Sequence, residues 1–395
     1  MKGRHNVFFC FLAMLCEGID LQSAGVAAAG IAGELHPSPQ VFGYFFAAST
    51  LGLFFGAPFG GWVGDRKGRK FALILSLALF GLFSLLTAFC TTIDMLILTR
   101  FLTGLGLGGA MPNMIALTAE SSAPEKRSRN VTLMYSGVSL GGALASVVAV
   151  LSTPESWRVI FITGGVAPLV IALAFIYFVH EPEWRGEAAG ASTAQPGLAV
   201  ALMGDGRGLK TALLWGSFFF SLLLLYLLLN WLPLLLVGIG MTRADAAVTQ
   251  IIFNIGGTIG AAAIGFTLDR GNRMVTTGLV FALLGLMLLL LAKAGVGAIT
   301  VLAFVLGAAV LAAQAIVYAF APKVYPRAVR GVGVGAAVGV GRLGSIAGPL
   351  FAASLLGAGQ SSAQVLMGML PLVVVAGVAS VFLASRLPIN DQAAD

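Results

Sequence analysis

The sequence predicts an all-α polytopic membrane protein, with twelve transmembrane helices in two pseudo-symmetric six-helix bundles. Three observations lead there. Of 395 residues, 58% are hydrophobic and only 10% charged, whereas soluble domains carry about 25% charged residues. Apolar runs of about 20 residues, the length that crosses the hydrocarbon core of a bilayer, recur twelve times. Short motifs in the connections of the first half return in the second.

The runs lie at 7–31, 41–63, 71–91, 93–118, 131–151 and 157–179, then at 211–237, 247–268, 274–292, 298–320, 333–356 and 364–385. The first is too long for a signal peptide and holds two carboxylates, so it is expected to be a span. Placing the N-terminus in the cytoplasm puts eighteen of the Lys and Arg residues on that side and only Arg158, Arg243 and Lys293 outside. This satisfies the positive-inside rule and makes both termini cytoplasmic. Arg100 and Arg342 fall within spans. The long polar stretch 181–210, rich in Gly, Pro, Ser and Ala, suits a linker. The expected organisation is therefore a bundle at 1–180, a cytoplasmic linker at 181–210 and a second bundle at 211–395.

After span 2, Gly61-Trp62-Val63-Gly64-Asp65-Arg66-Lys67-Gly68-Arg69 reads G-x-x-x-D-R-x-x-R, and Gly265 to Arg273 repeats it 204 residues on. A proline followed by basic residues precedes span 5 at Pro124 and span 11 at Pro326, offset by 202. That second offset also carries Gly137-Val138 onto Gly339-Val340 and Leu140 onto Arg342. Parallel repeats of six spans are the architecture in which a central site alternates between two faces of a membrane. In the loops, Gly61 would let two helices meet closely, and Asp65 would face a helix N-terminus. Arg66, Arg69, Arg270 and Arg273 would bind acidic partners or lipid phosphates, or serve only as topological anchors, and Asp269 repeats Asp65.

Composition also excludes. The net charge of +7 lies in short clusters between spans, so nucleic acid is not an expected partner. Cys10, Cys16 and Cys90 lie in or beside apolar runs and suggest no disulfide framework. There is no G-x-x-x-x-G-K-[ST] loop for an ATP-driven pump and no H-E-x-x-H. No enzyme activity, cofactor or metal is expected.

The motif GGWVGDRKGRK (60–70) resembles the loop signature of the major facilitator superfamily, and RFLTGLGLGGAMPN (100–113) is similar to its span 4 pattern. EGIDLQSAG (17–25) resembles the span 1 motif of the aromatic acid:H⁺ symporter family within it. NWLPLLLV (230–237) and VGRLGSIAGPL (340–350) extend the likeness, which is nearest to the 3-(3-hydroxyphenyl)propionate type. Many aromatic acid carriers have Asp where this chain has Glu17. The resemblance implies the major facilitator fold and proton-coupled import of a small aromatic carboxylate by a monomeric protein of the bacterial inner membrane. A drug/H⁺ antiporter, a symporter of another organic anion, or a passive channel on the same scaffold are the alternatives. The antiporter pattern in span 5 lacks its proline here, and Arg342 would repel cationic drugs.

At 1.5 Å per helical residue, Asp20 on span 1 and Arg100 on span 4 come to the same depth, and Glu17 comes level with Arg342. Glu17 and Asp20 are three residues apart, so they share a helix face that Ser23 continues. An ionised carboxylate at mid-bilayer costs about 2.5–3.5 kcal/mol by insertion scales and should line a cavity. Asp20, tuned by Arg100 and assisted by Glu17, is the expected proton carrier; the alternative is a buried pair that only fixes packing. Arg342 breaks the internal repeat with a planar fork suited to a carboxylate, or else partners Glu17. For the rest of an aromatic acid the candidates are Tyr226, Asn230 and Trp231 in span 7, Gln314 and Tyr318 in span 10, Tyr135 in span 5, Asn113 in span 4 and Asn254 in span 8. Each could instead bond a neighbouring helix, and Trp231 could be an interfacial anchor.

Overall fold

The computed structural model describes residues 2–123, 126–151, 156–181, 202–270, 272–326 and 329–387. Most of the expected linker, together with Pro124 and Arg327, lies outside them. Among the described residues, twelve helices are long and apolar enough to cross a membrane. They are α1 (Lys2–Leu35), α2 (Pro39–Lys67), α3 (Arg69–Thr87), α4 (Ile93–Glu120), α5 (Arg127–Leu151), α6 (Arg158–Phe178), α7 (Gly208–Gly238), α8 (Arg243–Arg270), α9 (Arg273–Lys293), α10 (Val296–Val324), α11 (Arg330–Gly357) and α12 (Ser362–Arg386). No strand occurs among the described residues.

Helix ends follow local chemistry. Ser38 accepts from the Val41 N–H at 3.4 Å and Pro39 opens α2, where its missing N–H is not needed. Thr92 and Asn272 cap α4 and α9 in the same way. At α12, Ser361 and Gln364 form a reciprocal capping box. The helix then breaks at Met369, two residues before Pro371, which cannot donate to the preceding turn. Between α2 and α3, Gly68 has φ of +92°, a conformation that glycine alone adopts without strain.

By backbone proximity the chain falls into two compact units. The first comprises Met1–Trp184, Leu229–Asn254 and Pro349–Ala358; the second comprises Arg185–Leu228, Ile255–Gly348 and Gly359–Asp395. The sequence halves thus contribute unequally, because the last turns of α7 and α11 and the first turns of α8 pack with the first six helices. Inside the first unit, α2 lies on α4, α1 on α5, and α3 on both α4 and α6. Glycines allow the closest of these approaches: a Cβ on Gly18 would strike the Val138 carbonyl of α5, and one on Gly104 the Ser49 carbonyl of α2. Packed backbones replace the hydrophobic driving force that lipid does not supply. Phe80, Phe175, Leu107, Met14 and Met134 fill the core between them. Cys10, Cys16 and Cys90 are buried and unbridged.

The second unit repeats these contacts. Gly256 of α8 abuts the Phe304 carbonyl of α10, and Gly344 of α11 abuts the Phe219 carbonyl of α7. The pairs α8–α10 and α7–α11 stand where α2–α4 and α1–α5 stand in the first unit, as the sequence repeat predicts.

Candidate functional site

In the first unit, α1 passes between α5 and α6 and carries its acids into a dry interior. Glu17 and Asp20 are 1% and 0% exposed, and Arg100 of α4 is 1% exposed. Arg100 Nη1 donates to Asp20 Oδ1 at 2.8 Å and Nη2 to the Asp20 backbone carbonyl at 3.2 Å. Ser84 of α3 donates to the same Oδ1 at 3.0 Å. The Phe161 ring lies 5.7 Å from the guanidinium carbon and closes the far side. Burying two charges costs several kcal/mol per ion, and their attraction offsets this only with added hydrogen bonds. The serine and the carbonyl supply those bonds. Asp20 Oδ2 has no hydrogen-bond partner among the described residues, which leaves one oxygen available to a proton. The depth expected for Asp20 and Arg100 is therefore realised as a direct ion pair.

The second unit holds a different cluster. Arg342 of α11 donates through Nη1 to the Tyr226 hydroxyl of α7 at 2.9 Å. Tyr318 of α10 lies within electrostatic range of both, and its ring meets Phe218 edge to face at 5.0 Å. One turn earlier on α10, the Gln314 carboxamide is 7% exposed, with neither its N–H₂ nor its oxygen hydrogen-bonded among the described residues. A guanidinium, two phenols, an unsatisfied amide and aromatic edges on three helices are the donors and flat surfaces that an aromatic carboxylate needs. Burying an unpaired amide costs about 1–3 kcal/mol, so Gln314 is poised for a partner.

The other candidates lie apart from this cluster. Trp231 is 1% exposed, with its indole N–H donated to the Pro349 carbonyl at 3.1 Å and its ring against Phe42 and Phe46. It is a packing centre joining α7, α2 and α11, because its polar handle and its ring are both occupied. Asn254 exchanges amide hydrogen bonds with Gln22 of α1 at 2.9 and 2.7 Å, and Gln250 donates to Gln22 at 3.3 Å. Asn230 is buried, and its carbonyl and that of Leu229 lie over Gly25, where a Cβ would come within 2.9 and 2.5 Å of them. Pro233 explains the approach, since it removes the N–H that would otherwise bond Leu229. Tyr135 is 44% exposed on the surface of α5.

Asn113 belongs with the loop motif. Its amide donates to the Gly60 and Gly109 carbonyls at 2.8 Å each, and its oxygen receives Arg69 at 3.4 Å. Its hydrogen-bonding groups thereby tie α2 to α4. Arg69 also pairs with Asp65 at 2.7 Å and Glu120 at 3.6 Å, while Arg66 stacks on Trp62 at 4.4 Å. One expectation needs correction. Gly61 faces open space; the close approaches are made by Gly60 against Gly109 and Gly64 against Asn113, because those positions lie on the face turned to α4. The N-terminus of α3 is met by a carboxylate the sequence did not single out: Glu181 accepts from the Arg69 and Lys70 N–H groups at 2.7 and 2.8 Å, where the dipole of α3 favours it. The side chains of Asp269 and Arg270 lie outside the described residues; Arg273 begins α9.

Sequence reasoning missed Ser84, Gln22, Gln250, Glu120 and Glu181. Only Ser84 had a usable signal: counting about 1.5 Å per residue from the start of span 3 brings it to the depth of Asp20.

Twelve spans repeated as six and six, with a buried ion pair in one unit and an arginine–phenol cluster in the other, define a secondary membrane carrier. Residues 10–349 match the model of the Major Facilitator Superfamily, and the chain belongs to that family. It is a transporter and not an enzyme. Among its relatives, the 3-(3-hydroxy-phenyl)propionate transporter of Escherichia coli (strain K12) is 39% identical over 96% of this chain and 94% of its own. The 4-hydroxybenzoate transporter PcaK of Pseudomonas putida is 33% identical over 92% of this chain and 88% of its own. In structure the chain is similar to a bacterial homolog of the human lysosomal transporter Spinster, with a TM-score of 0.81 at 15% identity over 98% of both chains.

Proposed function

We propose that the protein imports a small aromatic carboxylate, of the hydroxyphenylpropionate or hydroxybenzoate kind, together with at least one proton. The observation that carries this reading is the Arg342–Tyr226 pair with Tyr318 and Gln314 beside it. The guanidinium fork takes the carboxylate, Tyr226 and Gln314 give hydroxyl and amide partners to ring substituents, and Tyr318 and Phe218 flank the ring. Relatives named for hydroxyphenylpropionate and hydroxybenzoate support the substrate class.

The coupling proton binds Asp20, at the oxygen that neither Arg100 nor Ser84 occupies, with Glu17 one turn away as its assistant. Protonation removes the charge that holds Arg100, so the α1–α4 contact loosens when the proton arrives and tightens when it leaves. The halves 1–180 and 211–395 rock about the central site. The amide pair Gln22–Asn254 and the Gly25 contact close the end of the first unit where α1 meets α2. The cluster of Asp65, Arg69, Asn113 and Glu120, with its repeat at Asp269, Arg270 and Arg273, works at the opposite end, where Arg66 also meets lipid phosphate.

The charge distribution supports a cytoplasmic location for the Asp65 end and both termini, in a protein that acts as a monomer in the bacterial inner membrane. Co-transport of a proton with a monoanion cancels an opposing term of about 2.3 kcal/mol per 100 mV. Uptake into proteoliposomes tests the reading against a panel of hydroxylated benzoates, cinnamates and phenylpropionates, with and without an inward proton gradient. Accumulation of one of them above its external concentration, abolished by a protonophore, is expected; failure of the gradient to drive any of them overturns the reading.

A further inference from the structure

Directly beyond the Gly25 contact, the first unit contains a cleft of about 130 Å³. Its apolar walls include Val26 of α1, Val150 of α5 and Val237 of α7, and its polar groups are Arg243 at the start of α8 with Ser156 and Trp157 before α6. Arg243 is exposed and forms no hydrogen bond or ion pair with another described residue. Among the described residues, the neighbouring acids are hydrogen-bonded elsewhere. Glu34 is held by Arg158 at 2.6 and 2.7 Å and by the Trp157 indole at 2.7 Å, and Asp245 accepts from the Thr242 hydroxyl at 2.6 Å. Arg243 Nη2 lies over Gly33, 3.0 Å from where a Cβ would stand, so the absence of a side chain there makes room for the guanidinium.

On the topology proposed above, this face is the outer one, where only three of the chain's basic residues fall. Arg158 is neutralised by Glu34; Arg243 is a cation at the rim of an apolar slot without a described counter-ion. That pairing of charge and apolar wall fits an amphipathic anion: carboxylate on Arg243, ring against the valines. The cleft is smaller than the roughly 300–1,000 Å³ of pockets that enclose a whole ligand, so it grips one end of a molecule and binds weakly.

We propose that this cleft is an outer docking site for the aromatic carboxylate, separate from the Arg342 cluster, where substrate collects before the Gly25 contact opens. The inference rests on the substrate class and orientation proposed above. It is tested in two arms with 3-(3-hydroxyphenyl)propionate and 4-hydroxybenzoate as probes. In proteoliposome uptake, Arg243→Gln and the cleft-filling Val150→Phe are expected to raise KM about 3- to 10-fold at unchanged maximal rate, the loss of about one exposed charge-assisted contact, while Arg243→Lys stays within about twofold of wild type. Unchanged maximal rates certify folded carriers. In equilibrium binding to detergent-solubilised Arg342→Ala protein, a weak saturable site is expected that Arg243→Gln abolishes. Unchanged KM in both cleft variants, or no Arg243-dependent binding to Arg342→Ala protein, overturns the docking site. Wild-type uptake in the first arm reports separately on the proposed function, and the binding arm reads the cleft even where uptake is absent.

Discussion

Arg100 and Asp20 form a fully buried ion pair, 2.8 Å from Nη1 to Oδ1, in which neither residue is more than 1% exposed. Such a pair is expected to matter for stability. Removing one partner of a buried pair costs about 3–5 kcal/mol, because the survivor stays charged and unpaired. Asp20→Asn is therefore expected to lower the thermal midpoint of the detergent-solubilised protein by several degrees. Asp20→Asn with Arg100→Leu should recover much of the loss. A thermal-shift series on the two single variants and the double variant measures this directly; additive losses would mean the two side chains are not coupled.

Arg342 and Tyr226 set affinity in the account given above. Arg342→Lys keeps the charge and loses the fork, a charged hydrogen bond worth about 1.5–3 kcal/mol, so KM for the aromatic acid should rise about 10- to 100-fold. Tyr226→Phe removes a neutral partner worth about 0.5–1.5 kcal/mol and should raise KM about 2- to 10-fold. Initial-rate uptake over a range of substrate concentrations separates the two.

Gln22 and Asn254 bond reciprocally in a dry interface. Gln22→Leu leaves the Asn254 and Gln250 amides without that partner and should destabilise this closed contact by about 1–2 kcal/mol. Alkylation of a cysteine introduced at Ala27, which is 3% exposed, should quicken about 5- to 30-fold. Equal labelling rates with and without Gln22→Leu would remove the amide pair from the closing contact.

Gly68 makes the turn of the loop motif at φ +92°. Gly68→Ala forces a side chain into a region that costs about 1–3 kcal/mol and brings a Cβ within 3.0 Å of the Glu181 carboxylate. Lower thermal stability is expected, measured by the same thermal-shift assay, with substrate KM unaltered.

The spans, the repeat and the depth of Asp20 against Arg100 were legible in sequence, because each rests on a quantity that counting along the chain supplies: apolar length, offset or rise per residue. Charged residues within spans also announce themselves, since burying them is costly. Neutral amides do not. Gln22 and Gln250 carry no such cost signal, and their partnership spans more than 220 residues of chain. The Gly61 expectation failed for a geometric reason: Gly60, Gly61 and Gly64 crowd one turn, and a slip of one residue rotates a helix position by about 100°, from the α4 face to open space. The Glu181 cap joins residues 112 apart in sequence, beyond any local motif. Trp231 was ambiguous in sequence because a wall of a ligand cavity and an interfacial anchor both call for an amphipathic aromatic residue near a span end.

The most direct test of proton coupling is the internal pH of proteoliposomes, clamped at zero membrane potential, as 3-(3-hydroxyphenyl)propionate enters down its own gradient, with protein-free liposomes correcting for passive permeation of the neutral acid. Carrier-dependent internal acidification that tracks substrate entry, and that vanishes in Asp20→Asn protein while substrate exchange persists, is the predicted result. Carrier-dependent substrate entry with no proton movement, or acidification unchanged by Asp20→Asn, would contradict it.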